Sequence, residues 1–330
     1  MKKWISLILV AFLAVFSVAC SSGKSAASSE SKEKSSTDFP NKPISIVLPS
    51  SAGAPIDVMA RKLAEVASKY LNNVPINIVN KTGGSGMVAM AYTQSQPANG
   101  YTLHGEATGI TSVLQMKGAQ FRYSDFVPVS RIELDPFALF VKEGGKYKTL
   151  QDLIDDAKKN PGKITIGGYG TGTPHHIVAM DFAEKAGVDV KWVAFNSGTD
   201  AITAVMGDSL DAALTNTSSI ERFVGKAKVL AHSSEKPISK YPDLKSFKDQ
   251  GFDIVKYHWR GLFVKAGTPK EIVDRLADGF NKAVKDPEFQ KYLNTVGNLS
   301  GEIARDDFEK IVNNQASGDL TVLKKLNLAQ

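Results

Sequence analysis

The stretch that decides the fold is ITIGGYGTGTPHH, residues 164–176, in which a β-branched run leads through a glycine-rich loop to a helix start. The run at residues 164–166 favours a short strand. Thr173 before Pro174 is a strong helix-start signal, because threonine caps free N–H groups and proline suits the first helical position. The segment therefore predicts a strand, then a loop, and then a helix that covers residues 174–186.

Two other loops share this pattern, PSSAGA at 49–54 and FNSGT at 195–199. In parallel α/β sheets such loops lie at the carboxyl ends of strands, where ligands bind. Helix N-termini there offer free N–H groups and a partial positive charge, which hold anions without arginine. Ordinary connections also need caps and glycines, but three such loops favour a site for an anionic or polar solute. A fourth cluster, TGGSG at 82–86, either lines the same cleft or forms a tight turn.

Strand and helix patterns alternate along the chain. Short β-rich runs lie at 44–48, 76–79, 101–103, 137–141, 164–166, 190–195 and 210–214, and helical spacing covers 55–70, 86–94, 150–158, 174–186, 200–206 and most of 269–330. Strands separated by single helices predict an α/β fold with parallel layers.

A short internal similarity predicts how the chain is divided. LFVKEG at 139–144 resembles LFVKAG at 262–267, and a βαβα block lies between them. Two such extended segments fit a chain that crosses twice between two domains, although a six-residue match can also arise by chance.

Composition limits the function classes. The 330 residues suit about two domains, and the apolar content of 42% is that of a soluble globular protein. The formal charge is +6, but the lysines are scattered among acids, which favours a solvated surface over a nucleic-acid interface.

The N-terminus predicts export and lipid attachment. MKK at 1–3 and an apolar run precede Cys20, the single cysteine. This is a secretory signal pattern, and FSVAC at 16–20 fits a lipobox in which Cys20 accepts the lipid, with Ser17 in place of the usual leucine. The alternatives are a plain secretory signal or an uncleaved helix, but the run is shorter than the ~20 residues of a membrane span. The Ser/Lys/Glu-rich residues 21–37 predict a disordered spacer.

Catalytic and metal motifs find little support. His175 and His176 are adjacent, so on a helix their side chains diverge and do not chelate one metal. The serines of the first loop have no evident base, and no paired-carboxylate motif occurs. We therefore expect no metal, cofactor or catalytic residue. Asp57, at the third position of its helix, either caps the helix or contacts a ligand.

Several segments, in order, resemble the extracytoplasmic receptors of tripartite tricarboxylate transporters, also called Bug-type receptors. They are PNKPI at 40–44, AGAPIDVMAR at 52–61, PANGYTL at 97–103, PGKI at 161–164, GTPHH at 172–176, MGDSLDA at 206–212 and AGTP at 266–269. The resemblance covers essentially all of residues 39–330.

This resemblance implies a two-domain, type II periplasmic-binding-protein-like (Venus flytrap) fold that closes on a small carboxylate. Its expected partners are the organic acid and two membrane permease subunits, with the chain a monomer held to the membrane by its lipid. The chain departs from the family pattern at Ala54, Asp200 and Asp208; the extra carboxylate of Asp200 either disfavours citrate or binds an amine. The alternatives are a secreted hydrolase or transferase acting on a small anion, and a purely interactive surface lipoprotein.

The expected domains are a signal peptide (1–19), a linker (20–38), a first domain (39–138 with 264–330) and a second domain (139–263). The expected ligand-binding residues are Ser50, Ser51, Ala52, Gly53, Asp57, Thr108, Gly170, Thr171, Gly172, Thr173, His176, Asn196, Ser197, Thr199 and Asp200.

Overall fold

The computed structural model describes residues 38–83 and 86–329. The predicted signal peptide, Cys20 and nearly all of the spacer therefore lie outside the described residues. The elements follow in the order β1 (Ile44–Leu48), α1 (Pro55–Ala67), β2 (Ile76–Asn80), α2 (Met87–Ser95), β3 (Thr102–Ala107), α3 (Gly109–Val113), β4 (Phe126–Lys142), α4 (Leu150–Lys159), β5 (Thr165–Tyr169), α5 (Pro174–Ala186), β6 (Lys191–Phe195), α6 (Gly198–Met206), β7 (Ala212–Asn216), β8 (Ala227–His232), β9 (Tyr257–Lys265), α7 (Lys270–Lys285), α8 (Pro287–Val296), β10 (Leu299–Ser300) and α9 (Arg305–Lys325).

The local signals for helices are confirmed. Helix α5 has the predicted ends, with Thr173 as N-cap and Gly187 closing the helix at φ +63°. Helix α1 ends at Ala67, and a 3₁₀ turn over Ser68–Tyr70 completes the predicted range. In α5 the caps satisfy N–H and C=O groups that have no partner within the helix, whereas α1 begins at Pro55 without a side-chain cap.

The strands form a mixed sheet in the order β2-β1-β3-β9-β4-β7-β5-β6, with β8 and β10 also paired to β4. Strand β1 is parallel to β2 and β3, and β5 is parallel to β6 and β7. The α/β class is confirmed. The predicted parallel pairing occurs in both halves of the sheet, whereas β4 and β9, which join the halves, run antiparallel to their neighbours.

Strand β4 joins the two halves of the sheet. Its residues from Phe126 to Pro136 pair with β9, whereas those from Phe137 onward pair with β7 and β8. The sequence predicted only 137–141 of this strand. Pro128 and Pro136 conceal the rest, since proline has no N–H to donate and normally argues against a central strand.

The chain returns to the first half of the sheet through residues 233–256. This return is fastened to β4 at Phe137, whose N–H donates to Ser233 Oγ at 2.8 Å and whose C=O accepts from Ser233 N at 2.9 Å. The whole of β9 then pairs with β3 and β4. Residues 257–263, which the sequence analysis placed in the second domain, therefore lie in the first half of the sheet.

The hydrophobic clusters divide in the same way. Two clusters draw on residues 39–134 and 259–312, and two others draw on residues 137–254. We call these groups the first and second lobes. Each lobe buries its own apolar surface, so the space between them is free to hold a ligand.

A buried ion cluster holds β4 and β9 together where the lobes meet. Arg260, on β9 and 6% exposed, pairs with Glu133 and, at 3.3 Å, with Asp135 on β4. Asp135 also accepts hydrogen bonds from Ser218 N at 3.1 Å and Ser218 Oγ at 2.6 Å, in the turn after β7. The Asp135 carboxylate thus links β4 and β9 to the turn after β7, in the second lobe.

We predict that Arg260→Ala lowers the free energy of unfolding by about 3–5 kcal/mol, because it leaves two buried carboxylates without their cation. Urea denaturation measures the loss. Arg222→Ala is the control, since Arg222 is exposed and contacts only the Phe223 ring; it should cost less than about 1 kcal/mol. A loss for Arg260→Ala as small as that of the control contradicts the assigned role.

Candidate functional site

A cleft of about 930 Å³ lies between the two lobes. It opens at the carboxyl ends of β1, β3, β5, β6 and β7, as the sequence predicted for the loops that follow such strands. Its polar and charged lining residues are Ser50, Glu106, Lys117, Tyr169, Thr171, Thr173, His175, Asn196, Ser197, Thr199, Thr215, Asn216, Ser218, Ser219, His258 and Arg260.

The predicted site residues fall into two groups. Those that line the cleft are Ser50, Gly170, Thr171, Thr173, Asn196, Ser197 and Thr199. The others support or flank it: Ser51, Ala52, Gly53 and Asp200 are exposed, and Asp57, Thr108, Gly172 and His176 are buried. The loops are therefore at the cleft, while several side chains within them are turned away from it.

Asp57 anchors the first loop. Its carboxylate accepts from Gly53 N at 2.8 Å, from Arg61 Nε at 2.9 Å and from Asn80 Nδ2 at 2.9 Å. Chiefly through the bond from Arg61, these contacts lower the pKa of Asp57 to about 2. Since its oxygens are already bonded to the protein, the observed geometry favours the capping role over ligand contact.

His176 shapes the second loop from behind. Its Nδ1 accepts from Gly172 N at 3.1 Å, and its ring stacks on Trp192 with centroids 4.8 Å apart. Trp192 Nε1 in turn donates to Gly170 O at 3.0 Å. Burial lowers the pKa of His176 to about 4, so the ring is neutral near pH 7. This ring and Trp192 hold the loop that presents Thr171 to the cleft.

The third loop is held by its own cap. Ser197 Oγ accepts from Asp200 N at 3.1 Å, which starts α6. A Cβ at Gly198 would lie 2.3 Å from Thr215 Oγ1, so only glycine allows the helix start to approach β7 this closely. The N-terminus of α6 consequently borders the cleft, as do those of α1 and α5.

Sequence reasoning missed three polar residues of the cleft lining: His175 and Asn216, which are buried, and His258, which is half-buried. His175 Nε2 lies 2.8 Å from Asn216 Oδ1, and His258 Nδ1 lies 2.6 Å from Thr108 Oγ1. The two histidine rings are 5.3 Å apart. Burial lowers the pKa of both histidines. The adjacent histidines at 175–176 indicated this part of the cleft in the sequence. Which of the two rings faces the cleft depends on how α5 is rotated against the sheet.

Arg260, Lys117 and Glu106 at the cleft each have partners within the protein, and the partners of Arg260 are carboxylates that compensate its charge. Arg260 is paired with two carboxylates, and Lys117 Nζ donates to Asn327 O at 3.1 Å. Glu106 accepts from Ala107 N at 2.9 Å and lies 3.2 Å from His104 Nε2. Besides Lys117, which is exposed, backbone N–H groups and hydroxyls can bind an anion there.

Among residues 38–83 and 86–329, two buried polar atoms at the cleft have no hydrogen-bond partner. They are Ser50 Oγ, in the first lobe, and His175 Nδ1, in the second. Buried polar atoms are normally paired, because an unpaired one costs about 1–3 kcal/mol. Ser50 Oγ is also not bonded to any base that would make it a nucleophile.

Within residues 38–83 and 86–329, no cluster of three or more His, Cys, Asp or Glu side chains forms a metal site. In the same residues, no helix is both long enough and apolar enough to cross a membrane.

We predict that Asp57→Asn lowers the free energy of unfolding at pH 7 by about 2 kcal/mol. The folded-state pKa of about 2 lies below the unfolded value near 4. The stabilisation is therefore full above pH ~4 and is lost as the pH falls towards ~2. Urea denaturation across that range should show the difference from wild type shrinking.

The control is Asp200→Asn. Asp200 holds the same third position in α6 but is exposed, so its loss should cost under about 1 kcal/mol. Equal losses for the two variants, or a difference for Asp57→Asn that does not depend on pH, would exclude the anchoring role.

Comparison with known proteins identifies the family. A solved solute-binding protein from Polaromonas, crystallised without ligand, is 26% identical and superimposes with a TM-score of 0.75, covering 87% of this chain and 99% of that one. An adipate-bound protein of R. palustris has a TM-score of 0.76 at 23% identity, covering 88% and 99% of the two chains, and shares the fold.

Sequence comparison agrees. The UPF0065 protein of the gbd 5′ region of Cupriavidus necator is 28% identical over 295 residues, covering 88% of this chain and 90% of its own length. Residues 59–328 match the model of the tripartite tricarboxylate transporter family receptor. The chain belongs to that receptor family.

Proposed function

We propose that this receptor works outside the cell membrane, binds a small organic acid with one to three carboxylates in its cleft, and delivers the acid to the permease subunits of a tripartite transporter. The observation that carries the proposal is the pair of unpartnered atoms on the two walls, Ser50 Oγ and His175 Nδ1. One solute bound between the lobes can satisfy both.

Recognition of a carboxylate follows from the helix starts around the cleft. Helices α1, α5 and α6 begin at its border, and their first N–H groups have no partner within the helix. Hydroxyls of Thr171 and Thr199 lie in the same lining. Since Arg260 is already paired, the carboxylate is held by neutral donors and partial charges.

Release to a permease requires that the cleft open and close. A volume of about 930 Å³ is at the upper end of ligand pockets, about 300–1,000 Å³. A small acid leaves much of that space unfilled, so tight capture needs the lobes to approach each other. The lobes are joined at β4 and at the return through residues 233–256, which permits hinge closure.

Attachment to the membrane is proposed through Cys20. The lipobox-like segment supplies the acceptor, and the polar residues 21–37 supply a tether. At up to about 3.5 Å per residue, such a tether would give the receptor room to meet a permease in the same membrane.

Calorimetric titration of protein stripped of retained ligand tests the binding proposal. We expect at least one acid among mono-, di- and tricarboxylates to bind. In Ser50→Ala the affinity should fall about fivefold to tenfold, because one hydrogen bond to the ligand is lost.

Ser51→Ala is the matched control, since Ser51 is the exposed neighbour outside the cleft lining. Its affinity should change less than about twofold. No binding by any acid, or an equal effect of the two serine variants, would contradict the proposal.

Metabolic labelling with a radioactive fatty acid tests the anchor. The wild-type chain should incorporate label and sediment with membranes, whereas Cys20→Ser should do neither, because Cys20 is the single cysteine of the sequence. Ser21→Ala is the control and should label normally. Label that persists in Cys20→Ser would refute lipid attachment at this residue.

A further inference from the structure

We propose that His175 determines specificity: its Nδ1 is a fixed hydrogen-bond acceptor, so the cleft prefers carboxylates that also carry a hydroxyl or ammonium donor over acids without one. The inference rests on the proposed function, because it specifies which acids the same cleft selects.

The side-chain amide of Asn216 has one orientation that fits its hydrogen bonds. Its side-chain nitrogen donates to Asp135 O at 3.2 Å. A backbone carbonyl only accepts hydrogen bonds, so the NH₂ group must face Asp135. The amide oxygen, Oδ1, therefore faces His175.

The hydrogen bond to Asn216 determines which ring nitrogen of His175 carries the hydrogen. Its Nε2 lies 2.8 Å from Asn216 Oδ1. Because that oxygen only accepts, Nε2 must carry the hydrogen. In the neutral ring the other nitrogen, Nδ1, then bears a lone pair and can only accept. Burial favours the neutral ring, since it lowers the pKa of His175.

His175 Nδ1 lies in buried, aromatic surroundings. His175 is 5% exposed, and its Nδ1 has no hydrogen-bond partner in the part of the chain that the structure describes. The ring is held edge-on to Phe137 at 5.2 Å and to Tyr169 at 6.3 Å. With its ring packed on these sides, His175 has little freedom to turn Nδ1 towards another group, and an unpaired acceptor in such surroundings is costly.

The cleft lining contains a second hydrogen-bond acceptor besides His175 Nδ1. Glu106, in the first lobe, contributes a second acceptor, with its side chain 13% exposed. Of the cations in the lining, Arg260 is paired with two carboxylates, and the exposed Lys117 donates to the neutral side chain of Asn327. A ligand that brought only carboxylate oxygens would leave His175 Nδ1 unpaired. A ligand with a hydroxyl or ammonium group supplies the missing donor.

The test is calorimetry with matched acids, using the stripped full-length receptor. One series is succinate, malate and aspartate; the other is glutarate, 2-hydroxyglutarate and glutamate. We expect a donor-bearing acid to bind at least about tenfold more tightly than its unsubstituted counterpart, because a site built around a hydrogen bond rejects the analogue that lacks it. Comparing the hydroxy and amino acids shows which donor the cleft accepts.

His175→Phe keeps an aromatic ring against Phe137 and Tyr169 but removes the acceptor. In this variant the preference should shrink to within about threefold. The control is His232→Phe, which removes a buried histidine of the same lobe whose Nε2 bonds to Leu244 O away from the cleft lining; it should keep the preference, and thermal melting shows that both variants are folded.

The outcomes separate the two proposals. If succinate and glutarate bind as tightly as their substituted analogues, or if His175→Phe retains the full preference, the specificity role is overturned while the receptor function stands. If no carboxylate binds at all, the proposed function itself fails.

Discussion

The structure depends on the buried cluster in which Arg260 faces Glu133 and Asp135. These three side chains lie on β4 and β9, where the two lobes are joined, and Asp135 also fixes the turn that carries Ser218 into the cleft. Burying the charges is costly unless each is paired, so the cluster tolerates few alternative arrangements. It therefore sets the distance and orientation of the strands from which both lobes extend.

The same cluster determines the chemistry of the cleft. Because its carboxylates compensate Arg260, the one arginine among the cleft-lining residues is not free to clamp an anion. In the proposed function, recognition is left to helix N-termini, to hydroxyls and to acceptors such as His175 Nδ1. Neutral donors and acceptors placed by rigid elements discriminate by geometry more than by net charge. This suits a receptor that must distinguish small acids of similar charge and still release them.

Sequence reasoning recovered whatever depends on local chemistry. Thr173, Pro174 and Gly187 gave both ends of α5, and the glycine- and hydroxyl-rich loops pointed to the edge of the sheet where the cleft lies. Longer-range features were not recoverable. Prolines concealed most of β4, whose pairing depends on strands far away in the sequence.

In the site, too, the sequence predicted local features but not how individual side chains are directed. The sequence chose His176 where the cleft is lined by His175, because the facing side of α5 is set by packing against Trp192 and Asn216. Asp57 was predicted as a ligand contact or a cap, and only its bonds to Gly53, Arg61 and Asn80 favour the cap. The loops were thus predictable, and the direction of individual side chains within them was not.

In the proposed function, the two lobes close on a small acid bound between them. Small-angle X-ray scattering of the stripped protein, before and after addition of an acid that binds by calorimetry, tests it most directly. We expect a smaller radius of gyration with the acid than without it, because Ser50 and His175 lie on separate lobes and the proposed ligand contacts both. An unchanged radius at saturation would contradict closure.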